Sequence, residues 1–259
     1  MSRPGRTVPT KVHVVDHGRS RDVHDHLATE EPLEIRLDAG GEVRTLAVTM
    51  RTPGADFELA VGFLHGEGVV DGPGAIRTVR YCLDRTVEPE QRYNVVTVAL
   101  TGPLPDLAPL ERHFTTTSAC GVCGKAGLEA LRIRGCAPLP PGPGLTPAVL
   151  SSLPAAMAGG QGVFRSTGGL HAAALFDRRG ALVAVREDVG RHNAVDKLVG
   201  WALIDGRLPL HDHVVMVSGR ASYEIVQKCL AAGVPVVCAV SAPSSLAVDL
   251  AREWGMTLV

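Results

Sequence analysis

Two thiols spaced two residues apart, Cys120 and Cys123, lie in the segment Thr115-Thr116-Thr117-Ser118-Ala119-Cys120-Gly121-Val122-Cys123-Gly124-Lys125. A cysteine thiolate is the strongest side-chain nucleophile near neutral pH, and neighbours that pull its pKa below the free value of about 8.5 raise its reactivity. A loop that becomes a helix just after Cys123 would aim unpaired backbone N–H groups at the sulfur and favour the thiolate. Lys125 and His113 add positive charge nearby. Several chemistries use such a pair. A structural zinc site takes four ligands, and Cys82, Cys136, Cys229 and Cys238 supply no second Cys-x-x-Cys. A structural disulfide belongs to exported chains. A thioredoxin-like redox pair needs the motif at the top of a βαβ unit, whereas here Glu111-Arg112-His113-Phe114 and a Thr-Thr-Thr-Ser run precede it, as in a flexible loop. A reactive, exposed thiol is the leading reading.

Other polar residues gather where apolar runs end. Thr167-Gly168-Gly169-Leu170-His171 lets a backbone approach a ligand closely, because two glycines leave no Cβ in the way. Glu187-Asp188-Val189-Gly190-Arg191-His192-Asn193 puts two acids before a helix start and an Arg-His-Asn run at it. Unpaired N–H groups beside an arginine suit a phosphate. Ser218-Gly219-Arg220-Ala221-Ser222 and Ser241-Ala242-Pro243-Ser244-Ser245 repeat the pattern. Plainer roles compete: serines as helix caps, Asp188 as a cap acid, Arg191 as a surface ion-pair partner, and His171 as a satisfied strand histidine. Cys229 and Cys238 fall on apolar faces and read as core thiols. Neither a Walker-type loop nor a Gly-x-Gly-x-x-Gly fingerprint occurs.

The elements that must position these residues follow from composition and pattern. The 259 residues are 45% hydrophobic and 20% charged with a formal net charge of −1. That is an ordinary soluble balance, and it argues against nucleic-acid binding driven by bulk charge. No apolar run approaches the roughly 20 residues that span a bilayer, and the N-terminus lacks a signal peptide's apolar core. The chain is therefore expected in the cytoplasm, with its six cysteines reduced.

Residues 1–30, rich in His, Arg and Asp, read as a flexible N-terminal tail. Residues 31–113 read as a small α+β domain. In it, a hairpin turns at Gly40-Gly41, a helix enters through Thr52-Pro53-Gly54-Ala55-Asp56, and two strands run near 76–83 and 93–100. Residues 114–145 hold the Cys-x-x-Cys loop, a short helical stretch near 126–133 and a Pro/Gly linker. Residues 146–259 read as an α/β domain. Thr146-Pro147 starts a helix that Pro154 should kink or shorten. Strands 170–176 and 181–186 pair across Asp177-Arg178-Arg179-Gly180, and strands then alternate with helices, which predicts a mainly parallel sheet covered on both faces. Ligands bind such sheets at the carboxyl ends of the strands.

Glu31-Pro32-Leu33-Glu34-Ile35, Met50-Arg51-Thr52-Pro53-Gly54, Cys120-Gly121-Val122-Cys123-Gly124, Thr167 to Ala173, Glu187 to Lys197, Ser218-Gly219-Arg220 and Ser241 to Ser245 together resemble the FdhD family of formate dehydrogenase accessory sulfurtransferases, from about residue 31 to the end. The resemblance implies a cytidine-deaminase-like C-terminal fold, a homodimer, and transfer of sulfur from a cysteine desulfurase to molybdenum bis(molybdopterin guanine dinucleotide). That cofactor is a bound acceptor destined for formate dehydrogenase. By the same resemblance Cys120 carries the persulfide with Cys123 beside it. Thr167, Gly168, Gly169, His171, Arg191, His192, Asn193, Ser218, Gly219, Arg220 and Ser222 would bind the acceptor or a GDP-like ligand. No resident metal, nucleic acid or membrane is expected. Zinc deaminases use His-x-Glu followed by Pro-Cys-x-x-Cys. Here His171-Ala172-Ala173 lacks the glutamate and the Cys-x-x-Cys comes first, so deaminase chemistry is not expected. The family pattern continues past the final strand with a Gly-Phe-x-Arg-like segment implicated in cofactor binding, whereas this sequence ends at Val259. A cofactor-carrying chaperone and a dithiol oxidoreductase are the other classes the residues allow.

Overall fold

The computed structural model describes residues 5–82, 88, 91–105 and 137–259. Cys120, Cys123, Cys136 and the helical stretch expected near 126–133 lie outside these residues.

The first element departs from the sequence reading. Residues 7–28, expected as a flexible tail, pair as an antiparallel ribbon of β1 (Thr7–Asp16) and β2 (Arg19–Ala28). His17 and Gly18 both take positive φ, 45° and 77°, the backbone of a two-residue turn whose twist matches the strands it joins. The polar composition hid this, because a ribbon exposed on both faces needs few apolar residues.

A four-stranded sheet follows, in the order β4-β3-β6-β5, from β3 (Glu31–Ala39), β4 (Glu42–Arg51), β5 (Ile76–Tyr81) and β6 (Val95–Leu100). The alternation of Leu33, Ile35 and Leu37 buries one face of β3 completely. Val96, Val98 and Leu100 join that face, and α1 (Asp56–Gly66) covers it with Leu59, Ala60 and Leu64.

The second sheet has the order β11-β10-β9-β7-β8, from β7 (His171–Phe176), β8 (Leu182–Asp188), β9 (Val214–Arg220), β10 (Val236–Ser241) and β11 (Thr257–Leu258). It is mixed rather than mainly parallel. β9, β10 and β11 are parallel, but the tight turn after Phe176 makes β7 and β8 a hairpin, and β7 lies antiparallel between β8 and β9. Helices cover both faces as expected. Ala173, Leu175, Val215 and Val217 point to α4 (Arg191–Ile204), α5 (Tyr223–Ala231) and α6 (Ser245–Trp254). Their neighbours Ala172, Ala174, Phe176 and Met216 point to α2 (Pro147–Gly160), which is followed by the short α3 (Gly162–Thr167). Burial on both faces is why these strands read as unbroken apolar runs.

Thr146 caps α2, its hydroxyl accepting from Val149 N at 3.3 Å. Pro154 does not end the helix, which runs on to Gly160. Leu153 and Met157, buried on either side of the proline, hold it against the sheet despite a local cost of about 3 kcal/mol.

The two sheets are joined through α1 and α4. A Cβ on Gly62 would sit 1.8 Å from Asp196 O, and one on Gly200 would sit 1.8 Å from Glu58 O. The helices therefore meet backbone to backbone, glycine against glycine. Among the described residues no helix is long and apolar enough to cross a membrane.

Candidate functional site

Because β8, β9 and β10 run one way and β7 the other, three strand ends and the start of β7 share one edge of the sheet. His171 pairs with Asp188, and Arg220 with Ser241. The turns singled out in the sequence thus converge. Ser218 Oγ accepts from Ala172 N at 2.9 Å and lies 3.5 Å from His171 Nδ1. A Cβ on Gly219 would meet the His171 ring at 3.6 Å and Arg191 Cδ at 3.8 Å. Without a Cβ there, the imidazole and the arginine stem lie against bare backbone.

Arg191 and His192 open α4, at the end of a helix where N–H groups point outward. His192 Nε2 lies 2.7 Å from Glu224 Oε2 and 3.3 Å from Ser222 Oγ. Ser222 holds the N-cap position of α5 without capping it through its side chain. The hydrogen bond from His192 draws the Glu224 carboxyl below its ordinary pKa. Arg191 Nε is buried and has no hydrogen-bond partner among the described residues. Burial, then the positive charge of Arg191, then His192, pulls the His171 pKa below its ordinary value. The edge therefore offers a half-buried guanidinium beside an imidazole that prefers to be neutral. A buried donor without a partner is costly, and an anionic oxygen at Arg191 Nε would relieve it.

A cavity of about 500 Å³ opens beside this edge. His171 and Ser218 form its polar wall with Gly168 and Gly169, and Met157, Phe164, Leu170 and Val240 form its apolar one. Gly168 closes α3 in the left-handed conformation at φ 65°, which a glycine adopts without strain.

Two of the predicted binding residues have side chains engaged elsewhere, and a third, Arg220, stays at the edge. The Thr167 hydroxyl is used locally, donating to Val163 O at 2.9 Å and accepting from Gly169 N at 3.3 Å. Asn193 turns away from the cavity: its Nδ2 donates to Met50 O at 2.7 Å and Asp188 Oδ1 at 3.0 Å, tying β4 to β8. Arg220 is exposed at the end of β9.

Beneath the edge lies a buried knot that the sequence did not reveal. Asp188, fully buried, receives Lys197 Nζ at 2.7 Å, Thr52 N at 3.1 Å and Gly190 N at 2.8 Å, besides Asn193. Lys197 also donates to Thr52 O at 2.8 Å. Asp188 is therefore neither a cap nor a ligand acid. It joins the two sheets and sets the start of α4, where Arg191 and His192 stand. The only sequence sign was an acid and a lysine in the one stretch Glu187 to Lys197, with nothing there to show that they pair.

Burial pushes the Cys229 thiol up to about 12 and the Cys238 thiol to about 11, so both are inert core thiols as expected. Among the described residues no three His, Cys, Asp or Glu side chains come together as a metal site.

Residues 28–259 match the model of the FdhD/NarQ family. The chain is 56% identical over 240 residues to a protein of Streptomyces avermitilis named sulfur carrier protein FdhD, covering 91% of this chain and 83% of that protein. It is 52% identical over 239 residues to the protein of that name from Mycobacterium tuberculosis, covering 90% and 85%. For the protein of that name from Sulfurisphaera tokodaii the identity is 45% over 235 residues, covering 91% and 85%. The solved structure of a candidate formate dehydrogenase accessory protein from Desulfotalea psychrophila superposes with a TM-score of 0.72 at 26% identity, covering 98% of this chain and 92% of that one. With a family match across nearly the whole sequence and a like-named relative identical at more than half of its aligned positions, the chain belongs to the FdhD/NarQ family.

Proposed function

We propose that this chain carries sulfur on Cys120 from a cysteine desulfurase to molybdenum bis(molybdopterin guanine dinucleotide), in support of formate dehydrogenase. The observation that carries the reading is identity of 52–56% to proteins named as sulfur carriers, in a chain whose one Cys-x-x-Cys is Cys120-Gly121-Val122-Cys123. Burial of Cys229 and Cys238, which holds both thiols protonated, leaves them unsuited to the role.

Chemically, the Cys120 thiolate attacks the terminal sulfur of the donor's persulfide. A new S–S bond forms at Cys120, the donor's S–S bond breaks, and the donor departs as a thiolate. Delivery as sulfide requires two electrons. The Cys123 thiolate supplies them by attacking the Cys120 sulfur, which expels hydrosulfide and leaves a Cys120–Cys123 disulfide that a thiol reductant resets. Glycines at 121 and 124 let the segment serve a donor and an acceptor in turn.

The sheet edge would hold the acceptor's guanine nucleotide ends. Arg191 Nε and the N–H groups at the start of α4 suit a diphosphate, and the cavity beside His171 and Ser218 suits a planar base with a polar edge. We place this chemistry in the cytoplasm, where thiols stay reduced. The five-stranded unit, with helices on both faces, is read as cytidine-deaminase-like on the strength of the resemblance.

Complementation tests the proposal. In cells whose formate dehydrogenase depends on this protein, Cys120→Ala abolishes activity, and unchanged activity would remove the persulfide role. Calorimetry with GDP tests the edge. Arg191→Ala weakens binding by about tenfold or more, as expected for losing a charged hydrogen bond, and undiminished binding would move the nucleotide elsewhere.

A further inference from the structure

Gln161 stands between α2 and α3, at the C-cap position of the first and the N-cap position of the second. It is 4% exposed. Its backbone is satisfied: Gln161 N donates to Ala158 O at 3.2 Å, and Gln161 O accepts from Arg165 N at 3.3 Å. Its side chain is not. The carboxamide makes no capping bond to α3. Glu187 does that work instead, its two carboxylate oxygens accepting from Val163 N at 3.1 Å and Phe164 N at 2.7 Å. Among the described residues the Gln161 carboxamide has no hydrogen-bond partner. A buried amide left unpaired is costly, and this one lines the cavity beside His171 and Ser218. Its partner is therefore to be sought in what the cavity binds.

The rest of the polar wall narrows the ligand. Gly168 N donates to Phe164 O at 2.7 Å and Gly169 N to Thr167 Oγ1 at 3.3 Å, so these two residues have only carbonyl oxygens left to offer. Ser218 Oγ already accepts from Ala172 N. The capacity that remains is rich in acceptors, with the Gln161 amide group as its added donor. A ring that suits it carries several N–H donors in a row beside one carbonyl. The 2-amino-4-oxopyrimidine ring, shared by guanine and pterins, has that edge: carbonyl, ring N–H, amino group. Adenine sets a bare ring nitrogen beside its amino group and does not.

We propose that Gln161 reads the ligand's ring edge, its Nε2 donating to the carbonyl and its Oε1 accepting from the adjacent ring N–H of a 2-amino-4-oxopyrimidine. A carboxamide makes such two-point pairs with base edges. The inference rests on the reading of this sheet edge as the acceptor's site and sharpens it, because that acceptor carries the ring in two places, its guanine and its pterin.

Calorimetry on the full chain tests this with GDP, ADP and neopterin as probes. The wild type binds GDP, neopterin or both, and which of them it takes names the source of the ring. It binds GDP about tenfold or more tighter than ADP if guanine is that source. Gln161→Met, similar in length but without the amide, weakens binding of the ring by about tenfold or more, yet the ligand-free variant melts no lower than the wild type, since it has lost an unpaired buried group. Gln161→Glu recovers much of the affinity, because its carboxylate still accepts from the ring N–H and the amino group. That recovery is not expected of a residue that only holds α2 against α3. Binding indifferent to Gln161→Met, a Gln161→Glu variant no tighter than Gln161→Met, or a Gln161→Met variant that melts well below the wild type would overturn the proposal. GDP binding that Arg191→Ala weakens and Gln161→Met does not would overturn it alone and leave the nucleotide site standing. A wild type that binds neither GDP nor neopterin would overturn both.

Discussion

Replacing Gly200 with alanine sets helix propensity against packing, and the structure says which wins. In an isolated helix the change adds about 1 kcal/mol of stability. Here the new Cβ would lie 1.8 Å from Glu58 O, 2.7 Å from Glu58 C and 2.7 Å from Gly62 N. All three are backbone atoms of α1, so no side chain can swing aside. Ordinary contact requires α1 and α4 to separate by roughly 1.5 Å. Overpacking a tight core costs about 1–3 kcal/mol and occasionally more. The upper part of that range applies, because Thr52, Asp188 and Lys197 are bonded across the same junction. For a chain of this size each kcal/mol moves the melting temperature by about 2–4 °C. Gly200→Ala should therefore lower it by about 6–12 °C, with a matching fall in the urea midpoint. Gly159→Ala in α2, where a Cβ would meet nothing within 4 Å, is the control and should be neutral or slightly stabilising. Equal melting temperatures for the two variants would refute the claim that α1 and α4 meet backbone to backbone.

Three further outcomes follow from the buried groups. Lys197→Ala leaves Asp188 as an unpaired buried charge and should cost about 3–5 kcal/mol. Urea denaturation measures it, and a loss under about 1 kcal/mol would mean that the pair is not buried as described. Thiol counting at pH 8 in the folded protein should find Cys229 and Cys238 unreactive until denaturant is added, since burial holds them protonated. Rapid native labelling of either would contradict that. The fold favours the neutral ring of His171, so its contribution to stability is complete above the ordinary value of 6.5 and is lost as pH falls through the lowered one. Arg191→Gln removes the second cause of the shift. An NMR titration should show the His171 pKa moving up toward its ordinary value, and an unmoved value would separate Arg191 from the imidazole.

What was legible in the sequence was local. Thr146-Pro147 at a helix start, the turn at Asp177 to Gly180, and a helix beginning at Arg191 each announce themselves within a few residues, because capping and turn chemistry act over that distance. The turns at Ser218 and Gly190 could be assigned to one edge because strands that alternate with helices put their ends together. Three things were not legible, each because its cause lies far along the chain. Gly62 and Gly200 look like weak points in their helices, and the reason for each is the other. Asp188 reads as a cap, although its partner Thr52 comes from a loop 136 residues earlier in the chain. The turn at Asp177 to Gly180 announces the pairing of β7 with β8, but β7 also lies antiparallel to β9, and an alternating pattern of strands and helices does not carry that second pairing. In the ribbon, His17-Gly18 was a usable turn signal flanked by alternating valines, outweighed in the reading by the histidines and charges around it.

The central claim is that Cys120 holds sulfur, and intact-protein mass spectrometry after incubation with a cysteine desulfurase and cysteine addresses it most directly. The wild type should gain one sulfur that a reducing agent removes. Cys123→Ala should gain it too and keep it longer, having lost the thiol that expels hydrosulfide, and Cys120→Ala should gain none. Sulfur appearing undiminished on Cys120→Ala, or on no variant at all, would contradict the account.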